Sequence, residues 1–241
     1  MKWTTTSGTN MCGRIAQYHG IHDFVAVLSM PGAMVNTVGD QPLGRYNVAP
    51  TTQVTLLHLE NGALHADLLR WCWKPHWATN RAEPNARAEK VGHNPYYRAA
   101  WPNRAVTPID GWFEWLMEEG GKQPYYIQRR DGVPSLCASI GHWPHADEPP
   151  REHDGFVIIT ADSAGGMVDI HDRRPVILAP DLAREWLDPA TPKERADVDA
   201  PERTVRGVRV IQGRPRRGQH KNQGGALDLS HQRNPRRSIR E

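Results

Sequence analysis

Residues 112–128 read WFEWLMEEGGKQPYYIQ. Two runs rich in aromatic residues are separated by Gly120-Gly121, and a glycine pair between such runs predicts a β-hairpin. Working outward, similar runs recur along the chain: VTLLHL (54–59), RAVTPI (104–109), SLCASI (135–140), FVIIT (156–160), PVILA (175–179) and TVRGVRVI (204–211). Each is rich in β-branched or large apolar residues, and Gly, Pro or Asp punctuate the sequence between them. Helical patterns are fewer. IHDFVAVLSM (21–30) has helical apolar spacing and stops at Pro31-Gly32, and PDLAREWL (180–187) opens on a first-turn proline. No internal repeat occurs and no linker divides residues 12–229. The expectation is one α+β domain built on a mostly antiparallel sheet.

The 241 residues carry 30 Lys and Arg against 27 Asp and Glu, a net charge of +3. That balance hides an asymmetry. Residues 201–241 hold eleven basic and three acidic residues, so residues 1–200 are net acidic. A basic terminal segment is either a solvated tail or an arm that touches phosphates without reading sequence. No apolar run approaches the roughly 20 residues that span a bilayer, and the polar start MKWTTTSGTN is unlike a signal peptide. Three scattered cysteines (Cys12, Cys72, Cys137) are too few for a disulfide framework or a zinc site. A reducing cytoplasmic location is expected, with no membrane association. Residues 1–10 and the basic stretch 230–241 lack periodicity and are expected to be disordered, the first of them alternatively removed.

Four stretches concentrate reactive groups. In Met11-Cys12-Gly13-Arg14 a thiol lies beside a cation that favours thiolate, although a cysteine before glycine is often just a small buried residue. In Asn85-Ala86-Arg87-Ala88-Glu89 an extended backbone places Asn85, Arg87 and Glu89 on one face, fit for a phosphate-bearing ligand or for a surface salt bridge. In Trp112-Phe113-Glu114-Trp115 a carboxylate is flanked by aromatics. Desolvation there would disfavour its charged form and suit proton transfer, unless Glu114 faces solvent opposite Phe113 and Trp115. In His171-Asp172-Arg173-Arg174 a histidine beside an acid and a base is either a tuned proton carrier or structural. No P-loop, GxSxG, HExxH or paired CxxC occurs.

In this order the stretches resemble the SOS-response-associated peptidase (SRAP) family of abasic-site processing proteins. The resemblance rests on MCGR (11–14), RYNVAPT (45–51), W..KPHWA (71–78), NARAE (85–89), TPIDGWFEW (107–115), IIT (158–160), HDRRPVIL (171–178) and KNQGGALDL (221–229), and covers residues 11–229. It implies a barrel-like twisted sheet flanked by short helices and, by function, a monomer that needs no cofactor or metal. It further implies a DNA-damage (SOS) protein that binds single-stranded DNA, including junctions with duplex. There it crosslinks to abasic sites through a thiazolidine formed by an N-terminal Cys12. Lyase and (auto)peptidase or hydrolase character is implied with it, as is a nucleoid association if the source is bacterial.

By position, the resemblance implies that Glu114 shuttles protons, His171 opens the deoxyribose ring and Asn85 holds the linkage. Arg14, Arg87 and Arg173 would take flanking phosphates, with help from Arg45, while Trp71 and Pro50 would stack on or wedge beside bases. Three departures stand out: an extension Met1–Asn10, Cys72-Trp73 where the family usually has Gly-Leu, and Arg174 where it has an apolar residue. The extension blocks the Cys12 amine unless translation starts at Met11 or residues 1–11 are removed. The competing reading is a cysteine-dependent peptidase acting on protein through Cys12, Glu114 and His171.

Overall fold

The computed structural model describes residues 13–119, 121–144, 148–149, 151–163, 170–192 and 208–212. Strands dominate. The first sheet runs β14 (Val208–Gln212), β9 (Gly121–Arg129), β8 (Gly111–Glu118), β1 (Arg14–Gln17), β3 (Arg45–Val48), with every pair antiparallel. The larger sheet runs β12 (Arg173–Pro175), β11 (Gly155–Asp162), β10 (Ser135–His142), β7 (Arg104–Ile109), β4 (Gln53–Glu60), β5 (Ala63–Arg70), β2 (Met34–Asn36). β13 (Ile177–Leu178) also pairs with β10, and β6 (Asn85–Arg87) adds a parallel partner to β11. The α+β, mostly antiparallel expectation holds. The barrel-like expectation is corrected: the strands form two separate twisted sheets, packed face to face.

The predicted hairpin is β8–β9, in register from Trp112 opposite Ile127 to Glu118 opposite Gly121, where the chain turns and Gly121 takes φ +108°. The run 175–179 is not one strand. Its backbone changes partner at Val176, whose N–H donates to Ile159 of β11 while its carbonyl accepts from Ala138 of β10. Of the run 204–211, residues 204–207 lie outside the described residues, as do segments 1–10 and 230–241.

Alternation along each strand builds two cores. Between the sheets, Ile15, Trp112 and Ile127 of the first pack on Leu56, Ala105, Phe156 and Ile158 of the second. Behind the larger sheet, its opposite face (Leu57, Val106, Ala138, Ile159) is covered by α1 (Ile21–Leu28), α2 (Ala88–Val91) and α3 (Pro180–Leu187). α1 buries Ile21, Phe24 and Leu28, and α3 buries Ala183, Trp186 and Leu187, both at helical three-and-four spacing. Trp186 anchors α3 by donating its indole N–H to Ala105 O at 2.8 Å. No helix among the described residues is long and apolar enough to cross a membrane.

A buried amide ties the sheets together. Gln17 of β1 donates Nε2–H to Thr55 O (3.0 Å) and Pro108 O (2.7 Å) and accepts the Thr55 N–H at 3.1 Å. Gly111 is the other requirement. A Cβ there would lie 2.4 Å from Ile127 O and 2.6 Å from the Tyr126 ring, so only glycine lets β8 start against β9.

Candidate functional site

Glu114 resolves the ambiguity of its aromatic stretch. Along β8, Trp112 and Glu114 point toward the larger sheet, whereas Phe113 and Trp115 point outward to a small cluster with Ala16 and Tyr126. The carboxylate is 2% exposed. It is held inside by the same alternation that buries Trp112.

From the larger sheet, β6 contributes Asn85. Its register with Ile158 sends the side chain to the inter-sheet face, with Oδ1 out of solvent and the backbone carbonyl accepting from the Tyr97 hydroxyl at 3.4 Å. Burial raises the Tyr97 pKa well above the ordinary tyrosine range, with Glu83 adding to it, so this hydroxyl stays a donor. Arg87, two residues on and level with Thr160, shares that face and is exposed. Among the described residues it forms no ion pair.

His171 precedes β12 and is mostly enclosed, its side chain 14% exposed. Its Nδ1 accepts the Arg173 backbone N–H at 3.0 Å, which leaves the proton of the neutral ring on Nε2. Asp172 Oδ1 lies 2.9 Å from the same nitrogen.

Two residues expected at the DNA lie in the interior. Arg173 is 4% exposed. Its guanidinium binds both Glu89 oxygens at 2.9 Å, Asp162 Oδ1 at 2.5 Å and Thr160 O at 2.7 Å. Burial alone would lower its pKa, but these acceptors raise it above the usual value and fix the charge in place. The remaining nitrogen, Nε, is out of solvent, so no donor is left for a phosphate at the surface. Trp71 is fully buried in the inter-sheet core and donates its indole N–H to Pro84 O at 2.8 Å, so it offers no face to a base. The unusual Cys72 and Trp73 are likewise interior, each 3% exposed, and burial raises the Cys72 thiol pKa. Their bulk fills core rather than crowding a surface platform.

Arg14 stands on the outer face of the first sheet, donating to Asn47 Oδ1 at 3.3 Å. Arg45 is half-buried and donates to Gln53 O at 2.6 Å, and burial lowers its pKa. Pro50 sits on the turn that follows β3. That turn is fastened to Trp71 by Thr51 N–H to Trp71 O (2.7 Å) and Trp71 N–H to Thr52 O (2.9 Å). Cys12 lies outside the described residues. The chain emerges beside it at Gly13, and Arg14 is in register with Phe113, next to Glu114.

One surface feature escaped sequence reading. Trp77 is 58% exposed and stands edge-on to Tyr96 with ring centroids 6.1 Å apart, over a recess lined by Pro75, Pro95, Arg98 and Ala99. Its signal was present in KPHWA: a tryptophan among polar residues and prolines has no apolar run to bury it.

Comparison with known proteins places the chain in a family. The family model for SOS response associated peptidase (SRAP) matches residues 11–211. The chain is 42% identical over 178 residues to the abasic site processing protein YedK of Escherichia coli, covering 73% of this chain and 79% of that one. It is 31% identical over 196 residues to YoaM of Bacillus subtilis, named likewise, covering 74% and 80%. Among solved structures, a phage-related protein of Bordetella bronchiseptica superposes with a TM-score of 0.71 at 35% identity, over 90% of this chain and all of that one. The chain belongs to the SOS response associated peptidase (SRAP) family.

Proposed function

We propose that this protein processes abasic sites in DNA by forming a covalent crosslink through Cys12. The observation that carries the reading is Glu114: a carboxylate buried between two sheets, on the strand paired with the segment that leads back to Cys12. Relatives named abasic site processing proteins support the substrate class. So does a surface that offers Arg87, which has no ion pair among the described residues, and an exposed aromatic, Trp77.

The chemistry needs two nucleophiles on one residue. Once freed, the Cys12 α-amine, with an ordinary pKa of about 7.7–8.0, adds to the open-chain aldehyde of the abasic deoxyribose. Loss of water gives an imine. The thiol then adds across the C=N bond, its proton passing to nitrogen, and closes a five-membered thiazolidine. Because the thiol is already tethered, closure gains the advantage of an intramolecular reaction. Glu114 takes a proton from the attacking groups and returns one to the departing hydroxyl. His171 relays a proton to the sugar ring oxygen as the anomeric hydroxyl gives one up, so that the ring C–O bond breaks and the aldehyde is released, and Asn85 hydrogen-bonds the linkage. Arg14 and Arg87 hold flanking phosphates, Arg45 assists, and Pro50 wedges beside the bases while Trp77 takes the stacking role. Single-stranded DNA and its junctions with duplex are the preferred substrates, because an unstacked lesion can enter the cleft. The protein acts as a monomer, in the cytoplasm or on the nucleoid. Removal of residues 1–11 from the longer chain would be a peptidase step at the same site.

The test mixes protein beginning at Cys12 with a single-stranded oligonucleotide bearing one abasic site, resolved on a denaturing gel. A shifted band that disappears in Cys12→Ala is expected, and its absence at neutral pH refutes the reading. Full-length chain that keeps residues 1–11, verified by intact mass, should bind the oligonucleotide without crosslinking.

A further inference from the structure

The β4–β5 pair places His58 directly opposite His65, their rings stacked with centroids 5.3 Å apart and planes at 27°. Asp67 follows His65 by two residues and therefore lies on the same face. Its Oδ2 is 2.9 Å from His58 Nε2 and 3.9 Å from His65 Nδ1. One ligand atom from each of the three lies within 4.8 Å of the other two. None of these residues has a part in the abasic-site chemistry above.

We propose that His58, His65 and Asp67 form a binding site for a divalent transition-metal ion of the Zn2+ class. Zinc holds nitrogen and oxygen ligands at about 2.0–2.2 Å, so tetrahedral donors sit roughly 3.4 Å from each other. The observed separations straddle that value, and small side-chain rotations bring all three donors onto one ion. Two imidazoles and one carboxylate suit Zn2+, Co2+ or Ni2+ and are poor for Mg2+ or Ca2+, which favour all-oxygen sets.

The surroundings fit a built site. The Thr37 hydroxyl donates to Asp67 Oδ1 and so orients the carboxylate with Oδ2 toward the histidines, as supporting groups do around metal ligands. Trp143 closes the far side of His58, with ring centroids 4.8 Å apart, and leaves that imidazole 2% exposed. His65 and Asp67 are 17% and 25% exposed, which gives an ion a way in and room for a fourth, water ligand. A bound ion joins β4 and β5 directly, and through Thr37 it also fixes the segment following β2. It therefore acts as a staple at the far edge of the larger sheet.

The experiment titrates ZnCl2 into chelator-treated full-length protein by calorimetry, in parallel with thermal melts and Co2+ absorption spectra. The expected result is one equivalent bound, a higher melting temperature with Zn2+, and a Co2+ spectrum free of the thiolate charge-transfer band that a cysteine ligand would give. His65→Ala and Asp67→Asn should each weaken binding at least tenfold, and Thr37→Val should weaken it by about 10–100-fold through the lost orientation. His22→Ala, a control at the exposed His22–Asp40 pair, should change nothing. If the ligand variants do not melt cooperatively, Co2+-induced broadening of the His58 and His65 ring signals in the unmutated protein decides instead. No binding, undiminished binding in His65→Ala/Asp67→Asn, or broadening confined to other residues overturns the proposal.

Discussion

The Arg173 guanidinium meets the Glu89 carboxylate end-on, Nη1 to Oε1 and Nη2 to Oε2, each at 2.9 Å. The same residue donates its backbone N–H to His171 Nδ1. Arg173 therefore positions the histidine from an anchored strand and is spent as a cation. Arg87 is not. In single-stranded DNA binding each neutralised phosphate contributes about 0.7 to the slope of log affinity against log salt. Arg87→Ala should lower that slope by about 0.7, whereas Arg173→Met should leave it unchanged while costing about 1–3 kcal/mol of stability. Fluorescence anisotropy across a salt series, with urea unfolding alongside, makes the comparison.

The same pair sets a pH dependence. Burial pulls the Glu89 carboxyl upward, but hydrogen bonds from Arg173 outweigh it and hold the group below its ordinary range. A depressed folded pKa means the unfolded chain binds more protons near the ordinary value of about 4.3. The stabilisation is thus complete above that value and is lost as pH falls through the folded one. Wild type should exceed Glu89→Gln in urea stability at pH 7, and the gap should close below about pH 4. A gap that widens in acid would contradict this pairing.

Gln17 is the polar tie between the sheets, and its three hydrogen bonds serve backbone groups of Thr55 and Pro108 that have no access to water. Gln17→Leu keeps the volume and strands those groups. Each buried group left unsatisfied costs about 1–3 kcal/mol. Chemical denaturation should show a loss of at least about 2 kcal/mol, and a neutral outcome would mean the sheets do not depend on this amide.

Trp71 is fully buried and Trp77 is exposed, so packing and the proposed base stacking can be tested on separate residues. Trp71→Ala empties a fully buried site and should cost about 3–5 kcal/mol. Trp77→Ala touches an exposed ring and should change stability by no more than about 0.5 kcal/mol. Its loss should instead weaken binding to single-stranded DNA by about 1–3 kcal/mol, the worth of one stacked base. The reverse pattern would restore Trp71 as the platform.

Elements with a strong local pattern were legible from the sequence: the β8–β9 hairpin, β4, β7, β10, β11, and the helices α1 and α3. β5 was not, because ALHADLLR has no β-branched residue and reads as helix-forming. Its strand state is imposed by the turn before it, where Asn61 at φ +50° and Gly62 at φ +79° fold the chain back onto β4. β1, β3 and β6 are three or four residues long, too short for periodicity to register. At the site, motif order marked Asn85, Glu114 and His171, but motif order carries no burial. Whether Trp71 or Trp77 faces solvent, and whether Arg173 is already paired, depends on Pro84, Glu89 and Asp162, which reach these residues only through tertiary packing.

Glu114 offers the sharpest test of the chemistry, because its position separates proton transfer from binding. It shares the inter-sheet face of β8 with Trp112 and is buried, and Gln is close to it in size and shape. Glu114→Gln keeps the packing and removes the ability to accept and return a proton. General acid–base groups contribute about 10²–10⁴-fold to rate. In protein beginning at Cys12, the variant should therefore crosslink a single abasic site at least about 100-fold more slowly, with DNA affinity and unfolding midpoint close to wild type. His171→Gln should slow the same reaction, and a substrate whose aldehyde is already open should rescue it, because ring opening is the step that histidine serves. The same open substrate should leave Glu114→Gln slow. Equal rescue of both variants would place the two side chains at one step and refute the division of labour.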